Sequence, residues 1–261
     1  MITTAVITPI KSVSKPVKRV KVSETACAPI ACKDCGIYQL CLTVGGDVDL
    51  SMLDQLVKNR RTYKRGELIY RIGEPYRAAF AIRSGAVKTS VLTDDGRVQV
   101  TGFHIPGEVL GLNAIINDRY NCEARALETT SVCEVPFDRY EELALQLPGL
   151  QHQMLKIMSQ EIVHNQEMML LLGKKKAEER LATFFVNLSR RLERHGRPAL
   201  EFKLSMSRSD IGNYLGLAEE TVCRVITRFE ESSLISTERR LVRLGQMDRL
   251  QAMAAGRSSL E

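Results

Sequence analysis

Hydrophobic positions divide the chain into three regimes. From Gly66 to Val135 apolar residues come in short runs closed by turn formers: Gly66-Glu-Leu-Ile-Tyr70, Ala79–Gly85, Val87–Leu92, Val98–Phe103, Ala124–Leu127 and Ser131–Val135. Asp95-Gly96 between two of these runs is a hairpin signal, since glycine supplies the positive φ a tight turn needs. Gly73-Glu-Pro, Pro106-Gly107-Glu and Gly111 punctuate the rest. Many short strands without intervening helices predict a closed antiparallel barrel or roll. A helix is predicted ahead of it, over about Leu50 to Asn59.

After Pro148 the period changes. Leu155, Met158, Ile162, Asn165, Met169 and Leu172 alternate intervals of three and four, the narrow seam of a coiled coil. Asn165 is its one polar member, a position that lowers pair stability while setting register. Packing against the chain's own barrel would bury much the same residues. Pairing with a second copy is the favoured reading of this seam.

The third regime begins at Gly173-Lys174-Lys-Lys176. Glu178 to Arg194 is amphipathic, with Leu181, Phe184, Phe185 and Leu188 inward. Then follow two short helical patterns either side of Gly216-Leu217, with Ile211 and Leu215 in the first and Val222, Val225, Ile226 and Phe229 in the second. Ser207 and Asp210 form a capping-box-like start, and the turn suits a helix-turn-helix. Glu220, Cys223 and Arg224 share the face opposite the apolar one, as in a helix that reads base edges in the major groove. Beyond it, Ile235 and Leu241–Leu244 flank a polar tip and predict a two-stranded wing whose Arg239, Arg240 and Arg243 face phosphates.

The fold class is therefore α+β: an antiparallel β-roll, a long dimerisation helix and a winged helix-turn-helix. The expected spans are a poorly ordered basic tail at 1–26, a cysteine-bearing segment and roll at 27–148, the dimerisation helix at 149–173, the DNA-binding domain at 174–250 and a tail at 251–261. The 261 residues, 44% hydrophobic and 26% charged, suit two domains with ample core. No apolar run approaches the roughly 18 residues of a membrane span, and the N-terminus lacks the order of a signal peptide, which predicts a cytoplasmic protein without membrane attachment. The net charge of +6 favours an anionic partner, double-stranded DNA in this setting. Absence of a phosphate-cradling glycine loop, a nucleophile elbow or a metal-binding pair among His104, His152, His164 and His195 argues against an enzyme.

Seven cysteines in a reducing compartment are no disulfide framework. Cys32, Cys35 and Cys41 are separated by loops of two and five residues, short enough for three thiolates to converge on a metal or cluster.

This order of elements resembles the CRP/FNR superfamily of bacterial transcription regulators, and within it the oxygen-sensing fumarate and nitrate reductase branch. The resemblance runs from about Cys27 to Leu244. Its most specific stretches are Cys32-x2-Cys35-x5-Cys41, Ala81-Ile-Arg-Ser-Gly85, Cys133-Glu-Val-Pro-Phe137 and Asp210-Ile-Gly-Asn-Tyr-Leu-Gly-Leu217. It implies a [4Fe-4S] cluster held by Cys32, Cys35, Cys41 and Cys133; Cys27 and Cys122 fall outside the pattern, as bystanders, substitute ligands or free thiols. It further implies a homodimer that forms with the cluster intact, separates on exposure to oxygen, binds TTGAT-like palindromes and recruits RNA polymerase. The family's Glu-x-x-Ser-Arg stands here as Glu220-Thr-Val-Cys-Arg224, so Glu220 suits a cytosine amino group, Arg224 a guanine, and Cys223 departs from the pattern. In the cyclic-nucleotide branch an Arg-Ser pair grips the phosphate. The corresponding Asp118–Ala124 has none and carries Glu123 instead, which predicts no cyclic nucleotide. The alternative within the family is a regulator that senses redox through thiols or zinc.

Overall fold

The computed structural model describes residues 59–146 and 148–257. The basic tail, Cys27, Cys32, Cys35 and Cys41 lie outside the described residues, as does the helix predicted from Leu50 except for its last residue. That residue, Asn59, opens a strand.

Two four-stranded antiparallel sheets form the roll. One has the order β1 (Asn59–Tyr63), β8 (Thr130–Pro136), β3 (Ala78–Ser84), β6 (Val109–Leu110). The other runs β2 (Leu68–Tyr70), β7 (Glu123–Ala126), β4 (Val87–Leu92), β5 (Val98–His104). Strands predicted from apolar runs are present within a residue or two at their ends. β1 carried no such signal: Asn-Arg-Arg-Thr-Tyr has no apolar alternation, and its place comes from ladder bonds to β8. Inside the roll, Tyr70 stacks on Tyr120 with ring centroids 4.1 Å apart, and Ile82, Val87 and Val132 are fully buried around them.

Helix α1 (Phe137–Gln146) leads into α2 (Pro148–Lys174). Proline fits the first turn of α2, where its missing N–H leaves no bond unmade. At 1.5 Å per residue α2 is about 40 Å long. It has two apolar faces. Leu150 and Leu171 are buried against the chain, with Met154, Ile157, His164 and Met168 half-buried between them. The seam Leu155, Met158, Ile162, Asn165, Met169 and Leu172 is exposed, to 64% at Leu155 and 75% at Met169. The helix's contact with its own chain therefore uses a different face from the seam.

The C-terminal domain comprises α3 (Ala177–Arg194), β9 (Glu201–Lys203), α4 (Arg208–Leu215), α5 (Glu219–Glu231), the hairpin β10 (Ile235–Glu238) and β11 (Leu241–Leu244), and α6 (Met247–Ala254). The tail expected to begin at 251 is corrected here: α6 runs through 254 and packs on α3, with Leu250 and Met253 buried. β9 pairs with β11 and makes the wing three-stranded. One apolar cluster continues from this domain into the roll through Ala86, Val100, Phe103, Ile105 and Leu127.

Candidate nucleic-acid interface and cysteine site

Ser207 caps α4. Its Oγ accepts from the Asp210 backbone N–H at 3.0 Å, and the Ser207 N–H donates to Asp210 Oδ2 at 3.1 Å, satisfying two donors that a helix start leaves open. The chain turns at Gly216, which takes φ 63°, a left-handed value glycine adopts without a Cβ clash. Gly212 permits the close return, since a Cβ there would lie 2.6 Å from the Leu217 carbonyl oxygen. α5 begins at Glu219 after a three-residue turn, with Glu219 and Glu220 in its first turn, where the helix dipole favours negative charge. Val222, Val225, Ile226 and Phe229 are buried, while Glu220, Cys223 and Arg224 are exposed on the opposite face. Glu230 ties this helix to the wing by accepting from the Thr237 N–H at 3.0 Å and Oγ1 at 2.6 Å.

The two wing strands are joined by Arg239-Arg240, with Arg239 at φ 57° and both side chains exposed. Arg243 is exposed too, but its Nε donates to Glu201 Oε2 on β9 at 2.7 Å, so part of its charge is already neutralised. Arg208 is the first residue of α4. Its guanidinium lies within electrostatic reach of Cys223, and its Nη1 is buried without a hydrogen-bond partner among the described residues.

Cys133 is buried in β8, opposite Arg60 of β1 and Ala81 of β3. Cys122 is also buried, with Sγ 3.8 Å from Tyr70 Oη and 3.9 Å from Asn113 Nδ2. Burial raises its thiol pKa, which disfavours the thiolate a metal ligand needs. Among the described residues no cluster of three or more His, Cys, Asp or Glu could hold a metal ion.

A groove of about 770 Å³ separates the roll from α2 and α3. Glu108 lies in its wall and is engaged by Arg191 of α3: Nε donates to Oε1 at 2.7 Å and Nη2 to Oε2 at 2.6 Å, while the Ile105 N–H donates to Oε2 at 3.0 Å. Arg191 Nη2 also reaches the Phe103 carbonyl. Burial would raise the Glu108 carboxyl, but the guanidinium and these hydrogen bonds prevail and hold it at about 2. Glu123 of β7 accepts from Ser90 Oγ at 3.2 Å and pairs with Arg125 at 3.2 Å.

The cyclic nucleotide-binding domain family matches residues 60–146, and the Crp-like helix-turn-helix domain family matches residues 179–253. The chain is 51% identical over 226 residues to the transcriptional activator protein Anr of Pseudomonas aeruginosa, across 86% of this chain and 93% of that protein. It is 40% identical over 242 residues to the fumarate and nitrate reduction regulatory protein of Escherichia coli, across 92% and 96%. This chain belongs to the CRP/FNR family. Among solved structures, FixK2 from Bradyrhizobium japonicum aligns at TM-score 0.69 and 34% identity over 75% of this chain and 96% of that one. As a CRP/FNR regulator of the fumarate–nitrate and Anr type, it is a DNA-binding transcriptional activator and not an enzyme. No helix among the described residues is long and apolar enough to cross a membrane.

Proposed function

We propose that this CRP/FNR regulator is an oxygen-responsive activator carrying a [4Fe-4S] cluster on Cys32, Cys35, Cys41 and Cys133. The observation that carries this reading is the register of β1. Arg60 pairs with Cys133, so the chain coming from Cys41 joins the roll on the strand beside the fourth cysteine. Four thiolates are the usual ligand set of such a cluster. When bound, the cluster supplies an oxygen-labile link between the N-terminal segment and the roll.

The chain's own residues do the rest. The exposed seam from Leu155 to Leu172 pairs two copies, and Glu220, Cys223 and Arg224 of each read one half of a TTGAT-like palindrome. Arg239 and Arg240 approach phosphates, with Arg243 held against Glu201. At the promoter the dimer recruits RNA polymerase, in the cytoplasm. The groove beside Glu108 takes no cyclic nucleotide, because that carboxylate is already bound by Arg191 and a further carboxylate, Glu123, stands on β7.

The test is iron and acid-labile sulfide analysis of anaerobically purified protein, alongside binding to a TTGAT palindrome before and after air. The expected result is about four irons per chain, a visible absorption that air bleaches, and DNA binding lost with it. Cys133→Ser should remove both. A colourless, zinc-loaded protein that binds DNA equally in air would overturn the cluster reading in favour of thiol or zinc sensing.

A further inference from the structure

The helix-turn-helix is fastened to the edge of the sensory roll. β5 is the outer strand of its sheet, and an outer strand presents unpaired backbone groups. Asn213 of α4 fills that edge as another strand would. Its Oδ1 accepts from the Val100 N–H at 2.6 Å, and its Nδ2 donates to the Val98 carbonyl at 2.7 Å. Gln99 returns a bond, its Nε2 donating to the Asn213 carbonyl at 2.8 Å. One turn earlier on the same helix, Asp210 accepts from Lys88 Nζ of β4 at 2.5 Å, both side chains being about one-fifth exposed. Phe103 of β5 meets the Tyr214 ring edge-on at 5.1 Å.

These bonds do not cover the reading face, since Glu220, Cys223 and Arg224 stay exposed with the domain docked. Occlusion of DNA is therefore not their consequence. Orientation is. The covalent path from α2 to α3 passes through Lys175-Lys176, where Arg180 donates to the Leu172, Lys175 and Leu215 carbonyls, so this link, the Arg191–Glu108 pair and the clamp hold the domain together. With α4 clamped to β4 and β5, α5 has one direction relative to α2, the helix we propose as the two-fold axis contact. In a two-fold reader the distance and angle between recognition helices set the half-site spacing, about one helical turn or 34–36 Å.

We infer that the clamp of Asn213 on the β5 edge, with Lys88–Asp210, is a spacing ruler: these positioning residues select how far apart two half-sites stand, without touching DNA. The inference rests on the two-fold reading above. It predicts that loosening the clamp leaves half-site recognition intact and flattens spacing preference.

The test uses the full-length, anaerobically loaded protein and duplexes with one TTGAT half-site, or two at central spacings from the optimum to two base pairs longer and shorter. Two base pairs rotate a half-site by about 70°, so wild type should favour its best spacing by about tenfold or more. Asn213→Ala and Lys88→Met should each shrink that ratio by about threefold or more, with single-half-site affinity unchanged. Lys88→Arg, which can keep the ion pair, should retain it. Unchanged ratios in folded Asn213→Ala and Lys88→Met overturn the ruler. So does a ratio that falls only in step with single-half-site affinity. If Asn213→Ala does not fold, Lys88→Met decides. A wild-type protein that binds one half-site as well as two overturns the two-fold reading instead.

Discussion

Arg239 holds a left-handed conformation at the wing tip, φ 57°, where a side chain costs about 1–2 kcal/mol relative to glycine. Strain of this kind persists where function selects the side chain. Arg239→Gly is expected to stabilise the chain by about 1 kcal/mol in denaturant unfolding. It should also weaken DNA binding uniformly across sequences and lower the slope of log affinity against log salt by about one unit, as loss of one phosphate contact does. An unchanged slope would remove Arg239 from the interface. The residues that could be named from sequence were those whose chemistry and spacing act locally, such as the Ser207–Asp210 cap and the Glu220, Cys223, Arg224 face. The pairing of Arg243 with Glu201 could not be, because it depends on β9 lying beside β11, 42 residues away in sequence.

Helices and strands with a strong period were legible. α2 is the clearest case, since its 3-4 seam and its length follow from Pro148 onward without tertiary help. Which of its faces meets its own chain was not legible, because both carry apolar residues. The structure leaves the seam exposed and half-buries the face of Ile157, His164 and Met168. Asn165 is exposed in the middle of that seam. Replacing it with leucine should raise the dimer fraction of cluster-free protein in sedimentation velocity, since a buried Asn trades pair stability for register. An unchanged monomer fraction would place the pairing surface elsewhere. β1 and β9 were missed for a common reason. They are short, polar edge elements whose backbone bonds, not side chains, put them in a sheet.

Across the whole molecule, the Arg191–Glu108 pair joins α3 to the roll with side chains about one-fifth exposed. Removing one partner strands the other charge. Arg191→Met should destabilise by about 3 kcal/mol, and adding Glu108→Leu should recover most of it, read by thermal or denaturant unfolding. Failure of the second change to help would show that the Phe103 carbonyl contact, not the ion pair, carries the effect. The pH response has a definite sign. Glu108 is depressed from 4.5 to about 2, so its stabilisation is complete above 4.5 and is lost as pH falls through that window. His104 acts in the same direction at higher pH. Burial lowers its pKa from 6.5 to about 4, so its contribution is lost as pH falls from 6.5 toward 4.

Sequence by itself determined the order of the domains, the exposed polar face of α5 and the seam of α2, because each rests on side-chain type repeated at a helical or strand period. Tertiary structure decided which strand stands beside Cys133, which partners Arg191 and Arg243 take, and how the DNA-binding domain is held. Those depend on residues far apart in sequence. Asn213 marks the division most clearly: in sequence it is one polar residue in a short helix, and only the open edge of β5 gives its amide a partner.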